Sequence, residues 1–229
     1  MRTILKAILF LLILLSGAVA RGPITRLRAE AKMGIAAAQN ALGEKYYRGQ
    51  GVPKDYFEAE NWFHKAAEQG YAKARLSLGR LYDPDGHYIH VGEFRSIVEK
   101  SQQYAIKAEK WYRMAAQQGL ADAQYELAWL YMRGWGNHPQ DYNEETEKWL
   151  IEASERGHTV AQFNLGHYYY FGPEVDKHKV RAYMWLALSA SNGYQRAVKM
   201  RDLVAKNMTS TEIEKAKKLA RRWRPKKSR

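Results

Sequence analysis

Apolar positions along this chain follow a helical rhythm. Ala38, Leu42 and Tyr46 stand at i, i+4 and i+8 with polar residues between them, which places them on one stripe of a helix. The same trio returns as Ala74, Leu78 and Tyr82, as Ala123, Leu127 and Tyr131, and as Ala161, Leu165 and Tyr169. Beside each Leu stands a small residue, Gly43, Gly79, Ala128 or Gly166, which lets a neighbouring helix approach closely. The turn "GQGVPKD" follows the first stripe. Its glycines can take the left-handed conformation that closes a helix, and Pro53 or Asp55 can start the next one. A second stripe carries Ala59, Trp62 and Ala66 at spacings of three and four, and Gly70 ends it. The pattern predicts a helix–turn–helix unit.

That unit repeats. Trp62, Trp111, Trp149 and Trp185 recur at intervals of 49, 38 and 36 residues, and Gly70, Gly119, Gly157 and Gly193 keep the same intervals. The Leu and Tyr of the first helix recur at 36, 49 and 38. One period of 36 accounts for both series if the second unit carries an insertion of 13 residues and the third one of 2. Periods of this size mark solenoids, whose units bury their apolar faces against one another. The four Trp residues are therefore expected to pack between helices and not to serve as stacking platforms.

The pattern A-x3-L-G-x2-Y-x2-G-x-G-V-x2-D, then A-x2-W-Y-x-K-A-A-x2-G, resembles the Sel1-like repeat. The first unit agrees at nearly every marked position, in "AQNALGEKYYRGQGVPKD" and "AENWFHKAAEQG", and the likeness runs over residues 38–193. The resemblance implies an all-α fold: a right-handed α-solenoid of about four helix-turn-helix repeats with capping helices at both ends. It also implies a protein-binding scaffold or adaptor without a cofactor. Some Cys-rich relatives are linked to β-lactam binding, but this chain has no cysteine and no evident nucleophile paired with a base.

The expected organisation is a leader over residues 1–20, an N-terminal capping helix over 21–35, and repeats over 36–70, 71–119, 120–157 and 158–193. C-terminal capping helices over 194–224 and a basic tail over 225–229 complete it. Gly34 lies one period before Gly70, so the N-terminal cap reads as the second helix of a missing unit. Unit two departs most: an insertion at about 83–97 replaces its turn, and a longer second helix is expected after it. In the C-terminal cap a capping box is expected at Thr209 with Glu212 or at Thr211 with Glu214. The closing "TSTEIEKAKKLARRW" resembles the last helix of exported members of the family.

The leader changes where the protein is expected to work. "MRTILK" is basic, "AILFLLILL" is apolar, and "SGAVA" places Ala18 and Ala20 as the small pair before a cut. This reads as a secretory signal peptide cleaved after Ala20. Its apolar run is short for a bilayer span. The expected location is the periplasm, with secretion as the alternative. The absence of cysteine removes disulfides, thiol nucleophiles, Cys-based zinc sites and lipid attachment at a lipobox.

Candidate function then falls on what does not repeat. Positions three, seven and ten of the first helices share a face. They are Asn40, Glu44 and Tyr47, then Leu76, Arg80 and Asp83, then Tyr125, Trp129 and Met132, then Phe163, His167 and Tyr170. The first two sets are mixed and polar. The last two are aromatic and suit the anchoring of a protein or peptide partner, because interface hot spots favour Trp and Tyr. The net charge of +13 is concentrated at the C-terminal end, where residues 199–229 hold 12 basic and 3 acidic side chains. Arg221, Arg222, Arg224, Lys226, Lys227 and Arg229 are the candidates for attraction to an anionic envelope surface. No nucleic-acid partner is expected of an exported chain. His87 and His90, near Asp83 and Asp85, lack a third ligand at a recognised spacing, so no metal is expected. No nucleotide-binding or hydrolase motif appears, and the adjacent Glu144 and Glu145 read as solvated. The reading is a non-catalytic adaptor of the cell envelope. The alternatives are a structural accessory of a motility or secretion machine, and an enzyme acting on cell-wall or β-lactam substrates.

Overall fold

The computed structural model describes residues 22–84, 94–136, 144–171 and 175–227, with side chains described from Ser101 and His178 onward in the two helices that begin at 94 and 175. Within these residues there are eleven helices and no strand. The first helices of the repeats are α2 (Ala36–Arg48), α4 (Ala72–Tyr82), α6 (Ala121–Met132) and α8 (Thr159–Phe171). The second helices are α3 (Tyr56–Glu68), α5 (Phe94–Ala116), α7 (Glu144–Glu155) and α9 (Val175–Ser191). Before them comes α1 (Pro23–Lys32), and after them come α10 (Gln195–Ala205) and α11 (Ser210–Arg222). From α1 to α10 each helix packs on its neighbours in chain order, and α11 turns back onto α9.

Each second helix closes in the same way. Gly70, Gly119, Gly157 and Gly193 sit at φ values of 84°, 81°, 88° and 87°, and Gly34 after α1 sits at 81°. The next residue, Tyr71, Leu120, His158, Tyr194 or Ile35, returns its N–H to a carbonyl five positions back. Side chains with a Cβ resist this left-handed conformation, which is why a glycine stands at every junction. In unit one the turn is closed by Gly49 and Gly51, and Asp55 accepts from Phe57 N at 2.9 Å and Glu58 N at 3.0 Å. Asp55, not Pro53, is therefore the N-cap of α3. At α11 the capping box is Thr209 with Glu212.

Within a unit the two helices meet at the small residue of the first. A Cβ placed on Gly43, Gly79 or Gly166 would stand 2.6 Å from Phe63, 2.3 Å from Tyr112 or 2.7 Å from Leu186. These partners each follow the repeated Trp by one residue. Phe63, Tyr112, Leu150 and Leu186 are essentially inaccessible, whereas Trp62 and Trp111 are only half-buried and Trp149 and Trp185 are buried. The expectation that all four Trp residues are core thus needs correction for the first two. The residue that enters the helix interface is the one after Trp, and the indoles lie at the rim. Trp62 donates to Glu58 at 3.0 Å, and Trp111 meets His64 edge-on.

One apolar core runs from Ala59 to Ala216, and a smaller cluster of Ala31, Ala38 and Leu42 joins α1 to α2. A buried Gln recurs beside it. Gln39, Gln124 and Gln162 each donate to the carbonyl eight residues earlier, Ala31, Ala116 or Ser154, at 3.1 Å. They add a side-chain donor to carbonyls in the last turn of the preceding helix, which also accept the N–H of Gly34, Gly119 or Gly157. The sequence pattern does not flag them, because a polar residue in the first turn of a helix ordinarily faces water.

Candidate partner-binding surface

The first-helix face is built by a regular lap between units. Positions three and seven of one first helix meet position four of the next. The Ser77 hydroxyl lies 3.3 Å from Asn40 Oδ1 and 3.1 Å from the Glu44 carboxylate, within reach of either as donor. Arg80 pairs with Glu126 at 2.8 Å, and Tyr125 hydrogen-bonds Asn164. In units one and two this lap ties polar groups together, with Glu44 also holding Arg48. Leu76 and Asp83, read as surface positions from the sequence, are buried.

In units three and four the lap carries rings. Tyr125 stacks on His158 at 4.4 Å and on Trp129 at 6.4 Å, and the Arg133 guanidinium lies 5.8 Å from the Trp129 ring. On α8, Phe163 meets Tyr194 edge-on at 5.1 Å and lies 6.2 Å from His167. His167 lies 4.6 Å from Phe171, and Phe171 lies 4.9 Å from Tyr170. The Tyr170 hydroxyl accepts from Asn207 at 2.6 Å. Five of the six residues proposed from sequence, Tyr125, Trp129, Phe163, His167 and Tyr170, thus fall into two adjoining ladders, joined where Tyr125 reaches Asn164. They do not play equal parts. Tyr125, Phe163 and Tyr170 are half-buried and pack against the core, and Met132 is half-buried. Trp129 and His167 are exposed. Phe171, missed because it falls one place beyond the repeating trio, is the most exposed ring here at 59%.

His158 has a structural task. Its Nδ1 accepts the Ala161 N–H at 3.1 Å and so caps the first turn of α8. The matching residues before α2, α4, α6 and α10 give no side-chain cap. Burial holds this imidazole below its ordinary range, against the pull of Asp122. The folded chain therefore keeps His158 neutral where the unfolded chain takes a proton. The cap is fully present above the unfolded value of about 6.5 and is lost as pH falls through the folded value. Urea unfolding is expected to show a loss of about 1 kcal/mol on acidification from this cap. His158→Asn, which keeps an acceptor that does not titrate in this range, should flatten that dependence. An unchanged pH slope in the variant would remove His158 from this role.

The basic end differs from a free tail. Trp223 packs edge-on against Trp185 at 6.2 Å and lies against Gly157. Lys226 N donates to Glu155 O at 2.8 Å, and its ammonium pairs with the Glu155 carboxylate and lies 3.9 Å from Glu152. Lys226, proposed for an anionic surface, is thus engaged within the fold. Arg221, Arg222, Arg224 and Lys227 are exposed, and Arg229 lies outside the described residues. Glu145 also needs correction. It accepts from Arg113 at 2.5 Å across two helices and is half-buried, not solvated. His87, His90 and Asp85 lie outside the described residues, and among those described no cluster of His, Asp or Glu could hold a metal ion.

The Sel1 repeat family model matches residues 36–71, 96–120, 121–158 and 159–194, together more than half of the chain. A solved Sel1 repeat protein from Oxalobacter formigenes is 25% identical with a TM-score of 0.64, covering 86% of this chain and 77% of that one. A protective antigen of uropathogenic Escherichia coli, solved and described as displaying an SLR fold, is 25% identical with a TM-score of 0.53. It covers 87% of this chain, which spans about half (48%) of the antigen. Comparison with curated proteins gives no match.

Proposed function

The chain belongs to the Sel1 repeat family, whose repeats generally mediate protein–protein interaction, and from that premise we propose that it is a non-catalytic scaffold of the bacterial cell envelope. It holds a segment of a partner protein on the first-helix face of units three and four. The observation that carries this reading is the exposure of Trp129 and Phe171 above a floor of packed rings. Large exposed rings on a rigid base bind with little ordering cost. The family is typically non-catalytic. The leader-like residues 1–20 support export to the periplasm with cleavage after Ala20. Among the described residues no helix is long and apolar enough to cross a membrane. The exposed Arg221, Arg222 and Arg224 add a positive field that draws anionic envelope components toward the C-terminal end.

The test is crosslinking in the native envelope, with the trapped partner quantified for the wild type and for Trp129→Ala combined with Phe171→Ala. Both side chains are exposed, so the variant should melt with the wild type. Capture is expected to fall by more than about tenfold, because each lost hot spot costs about 2 kcal/mol or more. Equal capture by the folded variant would overturn the assignment of the surface.

A further inference from the structure

A second surface lies on the side of the second helices, where the repeat is broken. In units one and four the side-chain oxygen of the buried Gln is satisfied by an amide at the end of its own unit. Gln69 donates to Gln39 Oε1 at 2.6 Å, and Asn192 donates to Gln162 Oε1 at 3.5 Å. In unit three the equivalent of Gln69 is Arg156. Its Nη1 turns back to the Glu152 carbonyl at 3.1 Å and to the Glu152 carboxylate. Three buried side-chain atoms of unit three are left without a protein partner, Gln124 Oε1, Arg156 Nε and Ser154 Oγ, and the first two belong to residues that line one groove. Gln124 is 2% exposed. Of these first two atoms, one accepts a hydrogen bond and the other donates one.

Both residues line one open groove of about 570 Å³, between the end of α5, the start of α6, α7 and the returning tail. The tail contributes Lys226 and Lys227, and α7 contributes Lys148 beside Trp149 and Glu152. Of the charged side chains in the groove only Glu152 is acidic, and Arg156 and Lys226 already neutralise it. The groove is thus positive at its rim and holds an unpaired donor and an unpaired acceptor at its floor.

We propose that this groove binds an acidic segment of a partner protein in extended conformation. A peptide group supplies both missing partners, its carbonyl to Arg156 Nε and its N–H to Gln124 Oε1. Carboxylates along the segment meet Lys148 and Lys227. An inorganic anion satisfies Arg156 but leaves Gln124 without a donor, which favours the peptide. The site is independent of the aromatic face.

The experiment is fluorescence anisotropy of a labelled, end-blocked hexaglutamate peptide, with hexaserine as control and inorganic phosphate as competitor, at low and high salt. Hexaglutamate is expected to bind, hexaserine is not, and salt should weaken the complex. Arg156→Gln restores the amide of unit one and is expected to weaken binding about tenfold by closing the floor. Lys148→Ala with Lys227→Ala removes two exposed charges, of which only Lys148 has a contact with the core, over the Trp149 ring, and a similar loss is expected. Trp129→Ala with Phe171→Ala should bind as the wild type does, which separates failure here from failure of the aromatic surface. Three results would each overturn the proposal: no binding of hexaglutamate, which leaves a bridging water as the only occupant; equal displacement by phosphate at matched concentration; or wild-type binding by the folded lysine variant.

Discussion

Gly79→Ala is expected to destabilise the fold by about 3 kcal/mol, although alanine is the better helix former by about 1 kcal/mol. The new methyl would stand 2.3 and 2.4 Å from two ring carbons of Tyr112. That ring cannot swing aside freely. It is 1% exposed, and its hydroxyl donates to Asp83 at 3.1 Å, so it is held at both ends. Gly43→Ala meets Phe63 at 2.6 Å, where no ring hydroxyl is tethered, and should cost less. Unit three already shows the compatible pairing, Ala128 in the glycine's place with Leu150 in the ring's place, both fully buried. Tyr112→Leu in the Gly79→Ala background should therefore recover part of the loss, at the expense of the hydroxyl's bond to Asp83. Denaturant unfolding of the two single variants and the double variant checks this. Additive losses would mean that the ring and the glycine are not in the contact described.

The same residues show what could be read from the sequence. The stripe of Ala, Leu and Tyr, the small residue beside Leu and the closing glycines were legible because each is a local requirement repeated in register. Gly70, Gly119, Gly157 and Gly193 all adopt positive φ for one backbone reason. What escaped the reading depends on a partner distant in the chain. Phe63 and Tyr112 are deeper than the Trp beside them because the small residue they cover lies on another helix. Glu109 is buried against Tyr131, which donates to it at 3.0 Å, and nothing local distinguishes it from a solvated glutamate. The basic tail looked free because the carboxylates that receive Lys226 are about 70 residues earlier, in α7. The candidate surface was legible in outline. Its aromatic residues were visible, but the sorting of floor from exposed edge was not, and Phe171 lay outside the repeating frame.

Asp83→Ala is the second large effect. Both carboxylate oxygens accept from Arg133 Nη2, at 3.0 and 2.9 Å, and the two side chains are 11% and 16% exposed. Tyr112 donates to the same carboxylate. Burial, followed by the Asp83 charge, holds the Tyr112 phenol well above its ordinary range, so it remains a donor. Removing the carboxylate strips both groups of this acceptor in a site of low accessibility. Truncating one member of such a pair costs about 3–5 kcal/mol, whereas an exposed pair such as Arg48 with Glu44 is worth about 0–1 kcal/mol. Arg133→Met in the Asp83→Ala background should restore much of the loss, because a buried pair gains little over apolar side chains of similar volume. Urea unfolding of the full cycle gives the coupling, which high salt should barely change. A cost below about 1 kcal/mol for Asp83→Ala would place the pair with the exposed ones. The consequence reaches the candidate surface, because Arg133 is the guanidinium that lies beside the Trp129 ring. Freed from Asp83, it no longer fixes one face of that ring. Partner capture should therefore weaken in folded Asp83→Ala while binding of hexaglutamate at the groove of unit three stays unchanged. That separation would tie the buried ion pair to the aromatic face and not to a general loosening of the array.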